Sequence, residues 1–202
     1  MANPAYIDSV TGVLTDGPAW IALATSTVGS ATPSVTFTNP NDGSSLDWGQ
    51  CIDLVLLSCA RTARSGAIGG LMCRINGATT DYKAQYMYSD VGTGTLLATF
   101  EDDATGMRMG SFPGAGATAS FFGSSVTTFS DVNSGKWKIT WAVGGTDQNG
   151  SGQCDQIMTT ATHQDTWPAI TSLVILEING SDNIAAGSRF DLFGVLPRMV
   201  AA

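Results

Sequence analysis

The chain has 202 residues, a formal net charge of −8 and only 13% charged residues. This length suits one β-sandwich or barrel domain, which can bury a core without disulfide or metal staples. The acidic balance argues against a nucleic-acid-binding surface, because such surfaces need clustered Lys and Arg to neutralise phosphates. Helix-forming residues are scarce, with 2 Glu and 3 Lys against 24 Gly, so the composition predicts an all-β fold.

The N-terminus and the hydropathy bear on location. The first ten residues, MANPAYIDSV, lack the basic residues and apolar run of a secretory signal. No apolar run reaches the length of a transmembrane helix. We therefore expect a protein that is made in a cytoplasm and has no membrane partner. The low charge invites association, which indicates a component of an assembly.

Residues 1–17 are turn-rich and predict an N-terminal arm. Tyr6, Ile7, Val13 and Leu14 make this segment too apolar for a purely solvated tail. The arm is expected to lie on a neighbouring molecule. Padding the edge of its own domain is an equally open alternative, because termini are often poorly ordered unless tied down.

Strand patterns begin at Trp20. Predicted strands in the first half run from Trp20 to Val28, Ser34 to Asn39, Cys51 to Cys59, 71–76 and 82–88. The strand from Cys51 to Cys59 is apolar on both faces, which predicts a central position. Residues 39–43 carry the strongest loop signal, and Asn76-Gly77 is typical of a β-hairpin turn.

Residues 89–118 are irregular and glycine-rich. They predict at most two short strands, near Leu96 to Phe100 and near Met107 to Phe112. A strand interrupted at Gly123 is expected over 117–129, and a turn over 131–135.

Residues 136–143 show the cleanest alternation in the chain. A half-buried strand places alternate side chains on opposite faces. The pattern predicts that Trp137, Ile139, Trp141 and Val143 face the core, whereas Lys136, Lys138 and Thr140 face water. On this interpretation, Trp141→Ala is expected to destabilise the fold by about 3–5 kcal/mol.

The C-terminal stretch predicts a closing hairpin. After a further strand over 153–161, strands are expected over 172–178 and 189–196, joined by Asn179-Gly180 turn chemistry. The predicted core residues here are Leu173, Ile175, Phe190 and Leu192. In total the sequence predicts a two-sheet jelly-roll-like β-sandwich of about nine or ten strands. It forms one domain over 18–197, followed by a tail at 198–202.

The residues that could carry chemistry lack the necessary partners. His163 is the single histidine, and no G-x-S-x-G elbow accompanies it. The acidic run 101–103 is interpreted as a solvated loop, and Arg61 and Arg64 as part of another. The Asp-x-Asn segments at 131–135 and 147–151 are typical of turns, since neither has the later Glu of a calcium loop. The four cysteines form no C-x-x-C motif, which favours small buried hydrophobes. We expect no catalytic site, no metal and no cofactor.

Interface residues are predicted at the ends of the chain and beside loops. Trp48 and Trp167 sit next to loops, where an aromatic ring can anchor a protein interface or stack on a sugar. Capping the open end of the sandwich is the alternative for both. The predicted interface set is Tyr6, Ile7, Val13, Leu14, Trp48, Trp167, Arg198, Met199 and Val200.

The chain also resembles a family of small bacteriophage virion proteins. The residues that carry the resemblance are Ile170 to Leu176 and Ala186 to Val195, supported by Trp20 to Leu23, Val35 to Phe37, Leu54 to Leu57 and Met72 to Gly77. In that family a similar C-terminal pattern closes a β-sandwich. This chain departs from it at Phe193, where a Tyr is common, and in its C-terminal tail.

The resemblance implies a structural protein of the virion. The family includes capsid cement or decoration proteins, which bind the outer face of the major capsid protein shell, and tail-fibre or receptor-binding domains. The absence of coiled-coil heptads favours the capsid role. A tail-associated receptor- or carbohydrate-binding module is the alternative. Because a shell offers threefold positions, we expect a homotrimer.

Overall fold

The computed structural model describes residues 20–44, 46–89, 95–147, 154–163 and 168–196. The described residues form twelve strands in two antiparallel sheets, and the all-β prediction is confirmed. The strands are β1 (Trp20–Thr27), β2 (Ser34–Thr38), β3 (Asp53–Ala60), β4 (Ile68–Ile75), β5 (Tyr82–Ser89), β6 (Leu96–Ala104), β7 (Met107–Pro113), β8 (Gly123–Ser130), β9 (Lys138–Asp147), β10 (Cys154–His163), β11 (Ser172–Glu177) and β12 (Arg189–Val195). A 3-10 turn, Trp48–Gln50, precedes β3. The twelve strands exceed the nine or ten expected, and β6 and β7 are longer than the two short strands predicted in this part of the chain.

Eight of the strands form a jelly roll. One sheet contains the order β1-β12-β3-β8, and the facing sheet has the order β2-β11-β4-β7. Successive strands of these eight alternate between the two sheets, except that β4 and β7 pair with each other in the smaller one, as in the double-sheet jelly-roll architecture. The first sheet then continues through β9-β10-β5-β6, which gives it eight strands. We call these four additional strands the extension.

The predicted closing hairpin is wrong. β11 lies between β2 and β4 in the smaller sheet, whereas β12 lies between β1 and β3 in the larger one. The Asn179-Gly180 turn is present, with Gly180 at a φ of +66°, but the chain then crosses to the other sheet. The same holds at Asn76-Gly77, which separates β4 from β5 in different sheets. Both turns therefore mark changes of sheet rather than hairpins.

The core lies between the two sheets of the jelly roll. Its predicted members Leu173, Ile175, Phe190 and Leu192 are all fully buried, which confirms this part of the prediction. Leu54 and Leu56 of the central strand β3 are buried with them.

The cysteines do not share one environment. Cys51 and Cys73 are buried free thiols, as expected, but Cys59 is exposed. Cys51 precedes β3 and packs so closely on Gly194 that a Cβ at that glycine would collide with its sulfur. Cys59 lies within β3 on the side that faces away from the core, so strand parity explains its exposure.

Candidate interaction face

The alternation in β9 has the opposite orientation to the predicted one. Trp137, Ile139 and Trp141 are 54%, 47% and 48% exposed, whereas Lys138 and Thr140 are buried. The prediction that the two tryptophans and Ile139 belong to the core is therefore wrong. The residues alternate between buried and exposed as predicted, but the side that was predicted to be buried is the exposed one.

The close approach of β7 explains the inversion. A Cβ built on Gly110 of β7 would lie 3.7 Å from Ser125 Cβ of β8 and 4.0 Å from Gly144 Cα of β9. A Cβ on Gly144 would also lie only 2.8 Å from the Cβ of Ser125, its partner on the adjacent strand β8. Where β7 lies this close to β9, only small side chains fit between the two strands, and the indole ring of Trp141 points outward.

Around Gly110 the inward side of β8 and β9 is accordingly small and partly polar, whereas Phe129, farther along β8, is large, fully buried and part of the hydrophobic core cluster. The small buried residues on this side include Ser125, Thr127, Thr140 and Ala142. The hydroxyls of Ser125 and Thr127 have no hydrogen-bond partner within the described part of the chain. Size rather than hydrogen bonding therefore accounts for these residues at inward positions.

Lys138 is the one ionisable group that this inversion buries. Its Nζ donates hydrogen bonds to the carbonyl oxygens of Asp131 at 2.7 Å and Ser134 at 2.6 Å. Burial lowers the pKa of Lys138, and the nearby Asp131 carboxylate opposes that shift. Lys138 thus holds the 131–135 turn, in which Asp131 has a φ of +56°.

The outward side of the same strands forms a flat apolar surface, which we call the outer face. Its exposed members are Val126 of β8, Ile139 and Trp141 of β9, Met87 of β5 and Phe100 of β6. Trp141 lies opposite Thr160, Thr160 opposite Gln85, and Gln85 opposite Phe100. The two aromatic positions therefore share one row, about 14 Å apart by strand spacing.

A shallow groove crosses this row. It has a volume of about 490 Å³ and is lined by Gln85, Tyr86, Met87, Ala98, Thr99, Phe100 and Trp141. At its rim, Lys83 Nζ lies 2.7 Å from Asp102 Oδ1. Lys83 and Asp102 neutralise each other. The outer face is therefore an apolar surface with some polar groups, and this ion pair adds no net charge to it.

Trp48 is not a surface residue. It is only 2% exposed and belongs to the hydrophobic core cluster. Asn39 Oδ1 accepts a hydrogen bond from its backbone N–H at 2.9 Å, and Asp47 caps the turn by accepting from Gly49 N–H. The burial of Trp48 contradicts its prediction as an interface residue.

The other predicted interface residues lie outside the described residues: Tyr6, Ile7, Val13, Leu14, Trp167, Arg198, Met199 and Val200. The contact arms and the homotrimer that rests on them stay predictions.

The acidic run 101–103 lies on β6, so its interpretation as a loop is wrong. The Glu101 carboxylate pairs with the Arg108 guanidinium, which also lies 4.6 Å from the centre of the Tyr86 ring. Burial raises the pKa of Tyr86, although Arg108 opposes the shift. The Glu101 carboxylate is thus held by a cation, an arrangement typical of a structural ion pair.

Two further predictions about chemical residues have different outcomes. Arg61 is not part of a solvated loop, because its guanidinium donates to the carbonyl oxygens of Thr118, Phe121, Ala115 and Ala117. The 131–135 segment is a turn, as predicted, and Asn133 Nδ2 donates to the carbonyl oxygens of Trp48 and Cys51. Among the described residues, no three His, Cys, Asp or Glu side chains come together to hold a metal ion.

The outer face was missed by the sequence analysis, although a signal for it exists. Thr140, Ala142 and Gly144 occupy three successive alternate positions in the middle of β9. Small residues at alternate positions lie on one side of a strand, and they indicate that this side packs closely against another backbone. The bulky residues at the intervening positions must then lie on the opposite side of the strand.

Neither a scan of protein-family models nor a search of curated proteins finds a match for this chain. Within the described ranges, no helix is long and apolar enough to cross a membrane. The outer face and the resemblance to phage virion proteins are therefore the features that bear on function.

Proposed function

We propose that this protein is a non-enzymatic structural protein of a bacteriophage virion, a capsid cement or decoration protein located on the capsid surface. In this proposal the outer face binds the shell formed by the major capsid protein. The observation that carries the proposal is the exposure of Trp141, Ile139 and Phe100 on one side of the same sheet.

The physical argument concerns the hydrophobic effect. Large apolar side chains that lie together in water mark a surface that another protein covers. Aromatic residues dominate the binding energy of many interfaces because they bury a large area with few rotatable bonds. The extension is hydrogen-bonded into the same sheet as half of the jelly roll, so the outer face is held rigidly and little ordering is needed on binding.

Three further features support a role on a shell. The jelly roll is an architecture common in viral capsid proteins. The resemblance of residues 170–195 points to phage virion proteins. The charged fraction of 13% is well below the usual quarter, and interface cores are depleted in charge.

The binding test uses capsids that lack this protein and measures how much purified protein sediments with them. Trp141→Ser and Ile139→Ser should each weaken binding by roughly tenfold or more, because each removes a central apolar contact. Trp20→Ser is the matched control, since Trp20 is 47% exposed on the far strand of the same sheet. Equal binding by all three variants would contradict the proposal.

Copy number gives a second, independent test. Quantitative mass spectrometry of purified virions should find this protein in hundreds of copies, as expected for a component that covers a shell. A few tens of copies or fewer would place it on the tail instead.

The groove supports a second candidate function, a carbohydrate-binding module on the tail. Trp141 and Phe100 border the groove, and Gln85 lies in the same row between them and offers a side-chain amide for hydrogen bonds. Aromatic faces with adjacent polar groups are suited to stacking and orienting a sugar. Host-surface glycans that bind the wild-type protein but not Trp141→Ser would favour this candidate. Failure of every glycan to bind would favour the capsid role.

A further inference from the structure

The two sheets end in four edge strands, and three of them have features that discourage pairing. β1 contains a bulge between Ala22 and Ala24. β2 has only five residues. β7 contains a bulge near Gly110 and ends at Pro113. Bulges, short length and proline are the usual means of preventing an edge from joining another chain.

The fourth edge, β6, lacks these protections over its first half. It has nine residues, and within the described part of the chain it pairs with β5 alone. Leu96 and Phe100 are 68% and 71% exposed, and residues 96–100 contain no charge and no proline. The irregularity in its pairing falls between the partners of Tyr82 and Ala84, in the acidic second half.

We propose that β6 pairs with β6 of a second copy of this chain, antiparallel and about a two-fold axis at Ala98. The two eight-stranded sheets would then form one continuous sheet across the contact. An isologous contact of this kind uses the same segment from both copies. The inference stands apart from the proposed function, because it needs no capsid.

The choice of register follows from the sequence of β6. With the axis at Ala98, Leu96 lies opposite Phe100 of the second copy, and Leu97 lies opposite Thr99. Directly opposed residues share one side of a sheet, so Leu96 and Phe100 would meet on the outer face. Moving the axis to Thr99 would instead place Leu96 opposite Asp102 and Leu97 opposite Glu101.

The charges of β6 are compatible with a second copy. Lys83 and Arg108 of the same chain already pair with Asp102 and Glu101. In the proposed register these acidic residues lie beyond the opposed apolar segments. The neutral segment 96–100 can therefore pair with the same segment of a second copy, whereas a strongly charged partner would meet no residues of opposite charge there.

The test introduces opposite charges at the axis and measures molecular mass by sedimentation. The wild-type protein should contain an even number of copies. Ala98→Lys alone and Ala98→Asp alone each place like charges opposite one another, and each should halve the mass by weakening the contact roughly 100-fold. An equimolar mixture of the two variants should restore the wild-type mass, because Lys then opposes Asp.

Ala24→Lys is the matched control, since Ala24 is also an exposed alanine on an edge strand, at the other end of the same sheet. Its mass should equal that of the wild type. A monomeric wild type, or a trimer whose mass is unchanged by Ala98→Lys, would overturn the proposal. A mixture that stays at the halved mass would overturn it as well.

Discussion

The jelly roll and the extension use the same alternating pattern with opposite results. In the jelly roll, Leu56 of β3 and Phe190 of β12 point inward and are fully buried. In the extension, Thr140 of β9 points inward, and the neighbouring Trp141 points outward and is 48% exposed. Alternation therefore identifies a strand, but it does not say which side of the strand is covered.

The difference arises from the distance to the covering layer. Sheets whose large side chains interdigitate pack about 10 Å apart. At Gly110 the backbone of β7 approaches β9 until a Cβ on that glycine would lie 4.0 Å from Gly144 Cα. Large residues then fit only on the other side, which leaves an apolar surface where a sandwich normally has a polar one.

The largest expected effect is in the jelly roll. Phe190→Ala removes a fully buried ring, and we expect the free energy of unfolding to fall by about 3–5 kcal/mol. Urea denaturation measures this change. A fall of less than about 1 kcal/mol would mean that the two sheets do not pack on Phe190.

The next effect tests the buried cation of the extension. Lys138→Met removes the ammonium donor from the carbonyl oxygens of Asp131 and Ser134, although the Asp131 oxygen still accepts from the N–H and hydroxyl of Ser134. We expect the free energy of unfolding to fall by about 1–3 kcal/mol. Lys136→Met is the control, because that side chain is 81% exposed and its loss should change stability by about 0.5 kcal/mol or less.

The Lys138 substitution also predicts a pH dependence. Burial lowers the pKa of Lys138 in the folded protein, so the unfolded chain holds this proton up to a higher pH. The stability of the wild type relative to Lys138→Met should therefore rise as the pH increases from the lowered folded-state pKa towards the ordinary lysine value of about 10.4. A difference that falls over this range would contradict the burial of the ammonium group.

A further prediction tests the close contact between the neighbouring strands β8 and β9 at Gly144. In Gly144→Ala the new methyl group meets Ser125 and the Ser124 carbonyl oxygen, and we expect a loss of about 1–3 kcal/mol from overpacking. A Cβ at Gly135 would meet nothing within 4 Å. Gly135→Ala should therefore be neutral or slightly stabilising, and equal losses in both variants would argue against the close contact.

The smallest expected effect is at the most conspicuous residue of the extension. Trp141→Ala removes an exposed ring, so the free energy of unfolding should change by about 0.5 kcal/mol or less. If Trp141 faced the core, as the alternation predicts, the same substitution would lower the free energy of unfolding by about 3–5 kcal/mol. Thermal and urea unfolding of this single variant distinguish the two orientations of β9.

Much of the local structure could be predicted from the sequence. Strand positions and turns depend on neighbouring residues, which is why the Asn76-Gly77 and Asn179-Gly180 turns and the alternation of β9 were recognised. Burial of Leu173, Ile175, Phe190 and Leu192 also followed, because these apolar residues lie in strands central to both sheets.

The tertiary structure alone decided which surfaces these elements meet. It placed β11 and β12 in different sheets, buried Trp48 and exposed Trp141. It also left the apolar half of β6 at an edge. Period and turn chemistry are properties of adjacent residues, whereas the covered side of a strand depends on the distance to a backbone far away in the chain. For β9 that backbone is β7, and its approach turned a predicted core strand into the centre of an exposed apolar face.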